Sequence, residues 1–104
     1  MHYPTDLNLL NEAREQAEQI IDTLHDPVRG TIAKPRTYRQ KARKAYLGAA
    51  KARRLSRAKW RKAVGQQLRF LRLDLRHIEA LLTQDGVSLL LLSSRQYRQL
   101  LVIQ

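Results

Sequence analysis

Residues 57–83 read RAKWRKAVGQQLRFLRLDLRHIEALLT, and this stretch decides the fold. Trp60, Val64, Leu68, Leu71, Leu75, Ile78 and Leu82 recur at steps of three and four, a heptad-like seam. Phe70, Leu73, His77 and Leu81 form a second apolar strip, and Arg61, Lys62, Arg69, Arg72 and Arg76 lie between the two. Ser56 is placed to cap the first turn. At 1.5 Å per residue such a helix is about 40 Å long, a full domain in length. It offers apolar surfaces to neighbours and a basic ridge to the outside. On this reading Trp60 packs in the core.

The flanking sequence supplies the neighbours. Pro4, Thr5 and Asp6 open a helix over about 6–25. There Leu9, Leu10, Ala13, Ala17, Ile20, Ile21 and Leu24 share an arc of about 120°. Glu12, Glu15, Glu18 and Asp22 form the opposite, solvated face. His25-Asp26-Pro27 ends the helix, and residues 26–36 read as a loop with two prolines and a glycine. Thr37 to Gln40 fits a capping box for a second helix, about 38–54, whose face of Tyr38, Ala42, Ala45, Tyr46 and Ala49 admits a close neighbour. Asp85-Gly86 is a turn signal, and Val87 to Leu92 reads equally as an extended connection or a short buried helix. Ser93 to Gln96 fits another capping box, which starts a last helix at about 94–104. The expectation is a single all-α domain over 1–104, a bundle of about four helices around the long one.

Charge narrows the function. The 104 residues carry a net charge of +11, and sixteen of the twenty Lys and Arg fall between Lys34 and Gln84. Such asymmetry points to a polyanion, of which nucleic acid is the commonest. The alternative is a well-solvated basic protein whose acidic first helix partly neutralises the others. No apolar run approaches the roughly 20 residues that span a bilayer, so no membrane partner is expected. The N-terminus lacks the layout of a signal peptide. With no cysteine, disulfides and thiolate metal sites are ruled out.

No catalytic motif emerges. The sequence has no phosphate-binding loop, nucleophile elbow or zinc-protease helix. His2, His25 and His77 share no metal-ligand spacing and read as structural. The basic helices are left as the candidate site, with Arg39, Arg43, Lys44, Arg53, Arg54, Arg57, Arg61, Lys62, Arg69, Arg72 and Arg76 as phosphate neutralisers. Tyr38, Tyr46 and Trp60 lie among them, where aromatics stack on exposed bases, although each also fits an apolar stripe. The junction RRLS at 53–56 lacks the glycine turn of a helix-turn-helix.

Three segments, HYPTDLNLLNEARE at 2–15, KPRTYRQKARKAYL at 34–47 and QLRFLRLDLRHIEALL at 67–82, together resemble DDE-type transposases of bacterial insertion sequences. YRQLLVIQ at 97–104 is also similar. The resemblance implies a helical segment that follows the first catalytic aspartate of an RNase H-like domain, and no catalytic position falls within the matching part. It implies a truncated transposase that contacts DNA, is not itself an enzyme, holds no cofactor and resides in the bacterial cytoplasm, on the nucleoid when DNA-bound. Divalent metal belongs to full-length relatives. A second reading is a structural module that packs on a transposase catalytic domain or on a second copy through the Trp60–Leu82 seam. A third is an independent RNA-binding or regulatory protein.

Overall fold

The structure, a computed structural model, describes residues 7–51 and 56–103. Four α-helices follow in order: α1 (Leu7–His25), α2 (Arg39–Lys51), α3 (Arg57–Leu82) and α4 (Ser94–Ile103). Short 3₁₀ turns at Asp26–Val28 and Leu89–Leu91 interrupt the connections. The fold is an all-α bundle, and among the described residues no helix is long and apolar enough to cross a membrane.

α1 lies along α3, and α2 and α4 pack on its flanks, so α1 touches each of the others. Its apolar arc is the centre of the core: Leu10, Ala17, Ile20, Ile21 and Leu24 are fully enclosed. Val64, Leu71, Ile78 and Leu81 of α3, and Leu100 and Ile103 of α4, close on it. The molecule measures 47 × 27 × 17 Å. At the usual 8–10 Å between packed helices that thickness is about two layers, so each helix keeps an outer side.

Helix starts follow local chemistry in two cases. Ser56 Oγ accepts the Lys59 N–H at 3.2 Å. Ser93 and Gln96 form the full capping box: Gln96 N–H donates to Ser93 Oγ and Ser93 N–H to Gln96 Oε1, both at 3.1 Å. The Thr37–Gln40 pattern behaves differently. α2 starts at Arg39, and the residue before it is Tyr38 at φ 56°, in the left-handed region, so Thr37 stands one position too early to cap. Gly86 carries the Asp85-Gly86 turn at φ 84°. Between Val87 and Leu92 the chain forms a 3₁₀ turn with both ends buried and Leu89–Leu91 facing out.

Two imidazoles pin the 29–38 connection. His25 Nε2 donates to the Ile32 carbonyl at 2.7 Å, and His77 Nε2 donates to that of Arg36 at 3.1 Å. Asp6 and Gln104, at the ends of the expected first and last helices, and residues 52–55, at the end of the second, lie outside the described residues.

Candidate nucleic-acid interface

The buried seam of α3 is Val64, Gln67, Leu71, Asp74, Ile78 and Leu81. It runs between the two apolar strips, on the side away from the ridge, so Leu68, Leu75 and Leu82 flank it as half-buried residues. Two of its six positions are polar, which is why periodicity places the seam one residue off. Trp60 is not in the core. It is 39% exposed, and residues 57–62 are all exposed, because the first turns of α3 extend past the part that packs.

The polar seam residues meet α1. Arg14 is 1% exposed and donates from Nε to Gln67 Oε1 at 2.9 Å, from Nη2 to Asn11 Oδ1 at 2.5 Å, and from Nη1 to Glu18. Gln67 in turn donates to the Ala42 carbonyl of α2 at 3.1 Å; the small Ala42 side chain lets α3 come that close. Glu18, read as solvated, is buried. It and Asp22 hold Arg39: Nε lies 2.9 Å from Glu18 Oε2, and Nη2 3.0 Å from Asp22 Oδ2. Lys34 Nζ sits 2.7 Å from the other Asp22 oxygen. These contacts hold α1, α2 and α3 together by charge as well as by apolar packing.

Burial sets the protonation of this cluster. It raises Glu18 against the opposing charges of Arg14 and Arg39. It also acts upward on Asp22, where hydrogen bonds from Lys34 and Arg39 outweigh it and hold that carboxyl below its ordinary range. Asp74 is fully enclosed, and neither carboxyl oxygen has a hydrogen-bond partner among the described residues. Burial, helped by the Glu18 charge and opposed by Arg14 and Arg39, pushes it up to about 8. No sequence pattern flags this cluster, because Arg14 meets Gln67 across 53 positions.

The eleven sequence-nominated cations therefore divide. Arg39 is half-buried and committed to Glu18 and Asp22, so it is a structural tie rather than part of an open face. Arg53 and Arg54 lie outside the described residues. Arg43 and Lys44 on α2 are exposed. So are Arg57, Arg61, Lys62, Arg69, Arg72 and Arg76, and at 100° per residue the last five fall within about 100° on the side of α3 opposite Asp74. From Arg61 to Arg76 the rise is about 22 Å, the length of six to seven base pairs at about 3.4 Å each. Glu79 is the carboxylate of α3 that faces this side. Tyr46 is half-buried and donates to Asn8 Oδ1 at 2.6 Å, whereas Tyr38 is 46% exposed. Among the described residues no three His, Asp or Glu side chains gather as a metal site.

Comparison with protein-family models, with curated proteins and with solved structures finds no match. The likeness to insertion-sequence transposases rests on the quoted segments alone.

Proposed function

We propose that this chain binds nucleic acid, duplex DNA first, along the outer ridge of α3, as a helical segment of an insertion-sequence transposase that performs no catalysis of its own. The observation that carries this reading is the sorting of charge on α3. Its buried face holds Gln67 and Asp74, and Arg61, Lys62, Arg69, Arg72 and Arg76 stand together on the opposite side. Such a ridge neutralises backbone phosphates and carries little sequence information. Trp60 is exposed at the start of α3 but projects at the angle of Ile78 rather than of the ridge, so a base stacked on it, a contact worth about 1–3 kcal/mol, would lie beside the ridge and not along it.

The chain has one tryptophan, and its fluorescence reports on the start of α3, one residue before Arg61. A titration at several salt concentrations, with transposon-end and random duplexes, is expected to give similar affinities and a log–log salt slope of about −4 to −5 for five phosphate contacts. Charge reversal by Arg69→Glu with Arg76→Glu should abolish binding. Unchanged affinity in that double variant removes the ridge from the interface. A strong preference for structured RNA over duplex DNA would favour the regulatory reading instead.

One surface supports the second reading, a packing module. Leu90 is 94% exposed, Val102 71% and Leu101 50%, with Tyr97 beside them on the outer side of α4. The contact would use this patch rather than the Trp60–Leu82 seam, whose Val64, Leu71 and Ile78 are spent inside the bundle. Sedimentation separates the two: a stable dimer indifferent to DNA favours packing.

A further inference from the structure

The start of α2 is built unlike those of α3 and α4. Tyr38 precedes it in the left-handed region at φ 56°, and the helix turns right-handed at once. This alternation converges successive backbone N–H groups on one concavity. The N–H groups of Arg39, Gln40 and Lys41 are the first three of the helix and have no intrahelical acceptor. Among the described residues no side chain caps them, and the first turn holds no acidic residue. Serine hydroxyls occupy the corresponding place at α3 and α4.

A second observation at the same place is independent of the helix end. Thr37 is 9% exposed, and its hydroxyl has no hydrogen-bond partner among the described residues. It lines a shallow depression formed by residues 34–41, whose walls carry four cations and no carboxylate. Two of the cations, Lys34 and Arg39, are held in place by Asp22 and Glu18. Arg36 and Lys41 are exposed, with no acidic partner among the described residues; the Arg36 guanidinium rests 5.9 Å from the centre of the Tyr38 ring. The His25 and His77 contacts fix the connection behind the depression.

We propose that this depression is a phosphate-binding site: the N–H groups of Arg39, Gln40 and Lys41 and the Thr37 hydroxyl donate to the oxygens of one phosphate group, and Arg36 and Lys41 neutralise it. Several converging donors at a helix N-terminus suit a compact anion with many acceptor oxygens. A free phosphate and a backbone phosphodiester share that chemistry. The site is built from the 34–41 segment rather than from the ridge residues of α3 and does not depend on ridge binding.

The test is amide NMR of the full chain, titrated with inorganic phosphate against chloride at matched ionic strength, and separately with a short single-stranded oligonucleotide. The amides of residues 39–41 should shift and saturate with phosphate and not with chloride. Thr37→Val, whose shape suits the same buried position, should weaken saturation about tenfold with the remaining spectrum intact. Arg36→Gln with Lys41→Gln, both on the surface, should do the same without touching the core. Saturation by phosphate alone identifies a free phosphate ligand; saturation by the oligonucleotide as well, retained when Arg69 and Arg76 are reversed, identifies a nucleic-acid backbone. Equal shifts with chloride, or shifts spread evenly over all basic residues, overturn the site and leave the ridge reading untouched.

Discussion

α1 and α3 both carry long runs of charge and use them in opposite ways. On α1, Arg14 and Glu18 are nearly as enclosed as the leucines beside them, and Asp22 gathers Lys34 and Arg39 from the following segments. On α3 the cations face outward, and the one buried carboxylate, Asp74, has no partner. The comparison teaches that a count of charges on a helix does not say which are available. Availability depends on whether an opposite group elsewhere in the chain meets each one. Within α1, Glu18 and Asp22 are spent on Arg14, Arg39 and Lys34.

The strongest way to break this contrast is Arg14→Met. It removes the donor to Gln67, Asn11 and Glu18 at once, and loss of one partner from a buried charged pair costs about 3–5 kcal/mol. Urea unfolding at neutral pH should show a loss of that size. A loss within about 0.5 kcal/mol, the level of an ordinary surface change, would make α1 no different from the ridge.

Asp74→Leu should act in the other direction. An unpaired buried polar group costs on the order of 1–3 kcal/mol, so the variant is expected to be more stable at pH 7 by that amount. The pH dependence has a definite sign. The Asp74 carboxyl is held at about 8 in the fold, against 3.8 as its ordinary value. Between those values the folded chain keeps a proton that the unfolded chain has released, so this group makes stability fall as pH rises, and its effect levels off above the folded value. Glu18 adds a slope of the same sign, whereas Asp22, held low, contributes stability that is lost as pH falls. The difference between wild type and variant therefore isolates Asp74: the gain should be smallest at pH 4 and grow toward pH 8. A pH-independent gain would mean that Asp74 merely fills space badly.

The smallest expected effect on stability belongs to the ridge. Arg69→Ala with Arg76→Ala should leave the unfolding midpoint almost unmoved, within about 0.5 kcal/mol. The same pair should reduce the salt slope of DNA binding by about two. A large loss of stability would show that these cations serve the bundle as Arg14 does.

Much of the fold was legible because it is written locally. The apolar arc of α1 has few polar intrusions, Ser56 caps its own third residue on, and Ser93 with Gln96 closes a ring of four positions. The ridge was legible for the same reason, since a helix fixes the relative angles of its side chains. What was not legible depends on meetings between distant segments. Gln67 and Asp74 belong to neither apolar strip, and the partner of Gln67, Arg14, lies on another helix. Glu18 and Asp22 read as a solvated stripe, and Arg39 as a free cation, until the 29–38 connection brings Lys34 and Arg39 over them. Trp60 fits the heptad spacing but lies outside the buried core cluster, in the exposed first turns of α3. Thr37 has the right neighbours for a cap and the wrong register, because Tyr38 takes the left-handed turn.

Gln96 joins two events that are usually separate. Its carbonyl oxygen completes the first turn of α4, and its amide donates to Thr23 Oγ1 of α1 at 2.9 Å, across 73 positions. A helix of ten residues is marginal on its own in water, and this one shares a side chain between its own start and its seat on α1. It follows that α4 forms late, after α1 is in place, and opens as a single unit. Its amides should lose protection from hydrogen exchange together rather than fraying from one end.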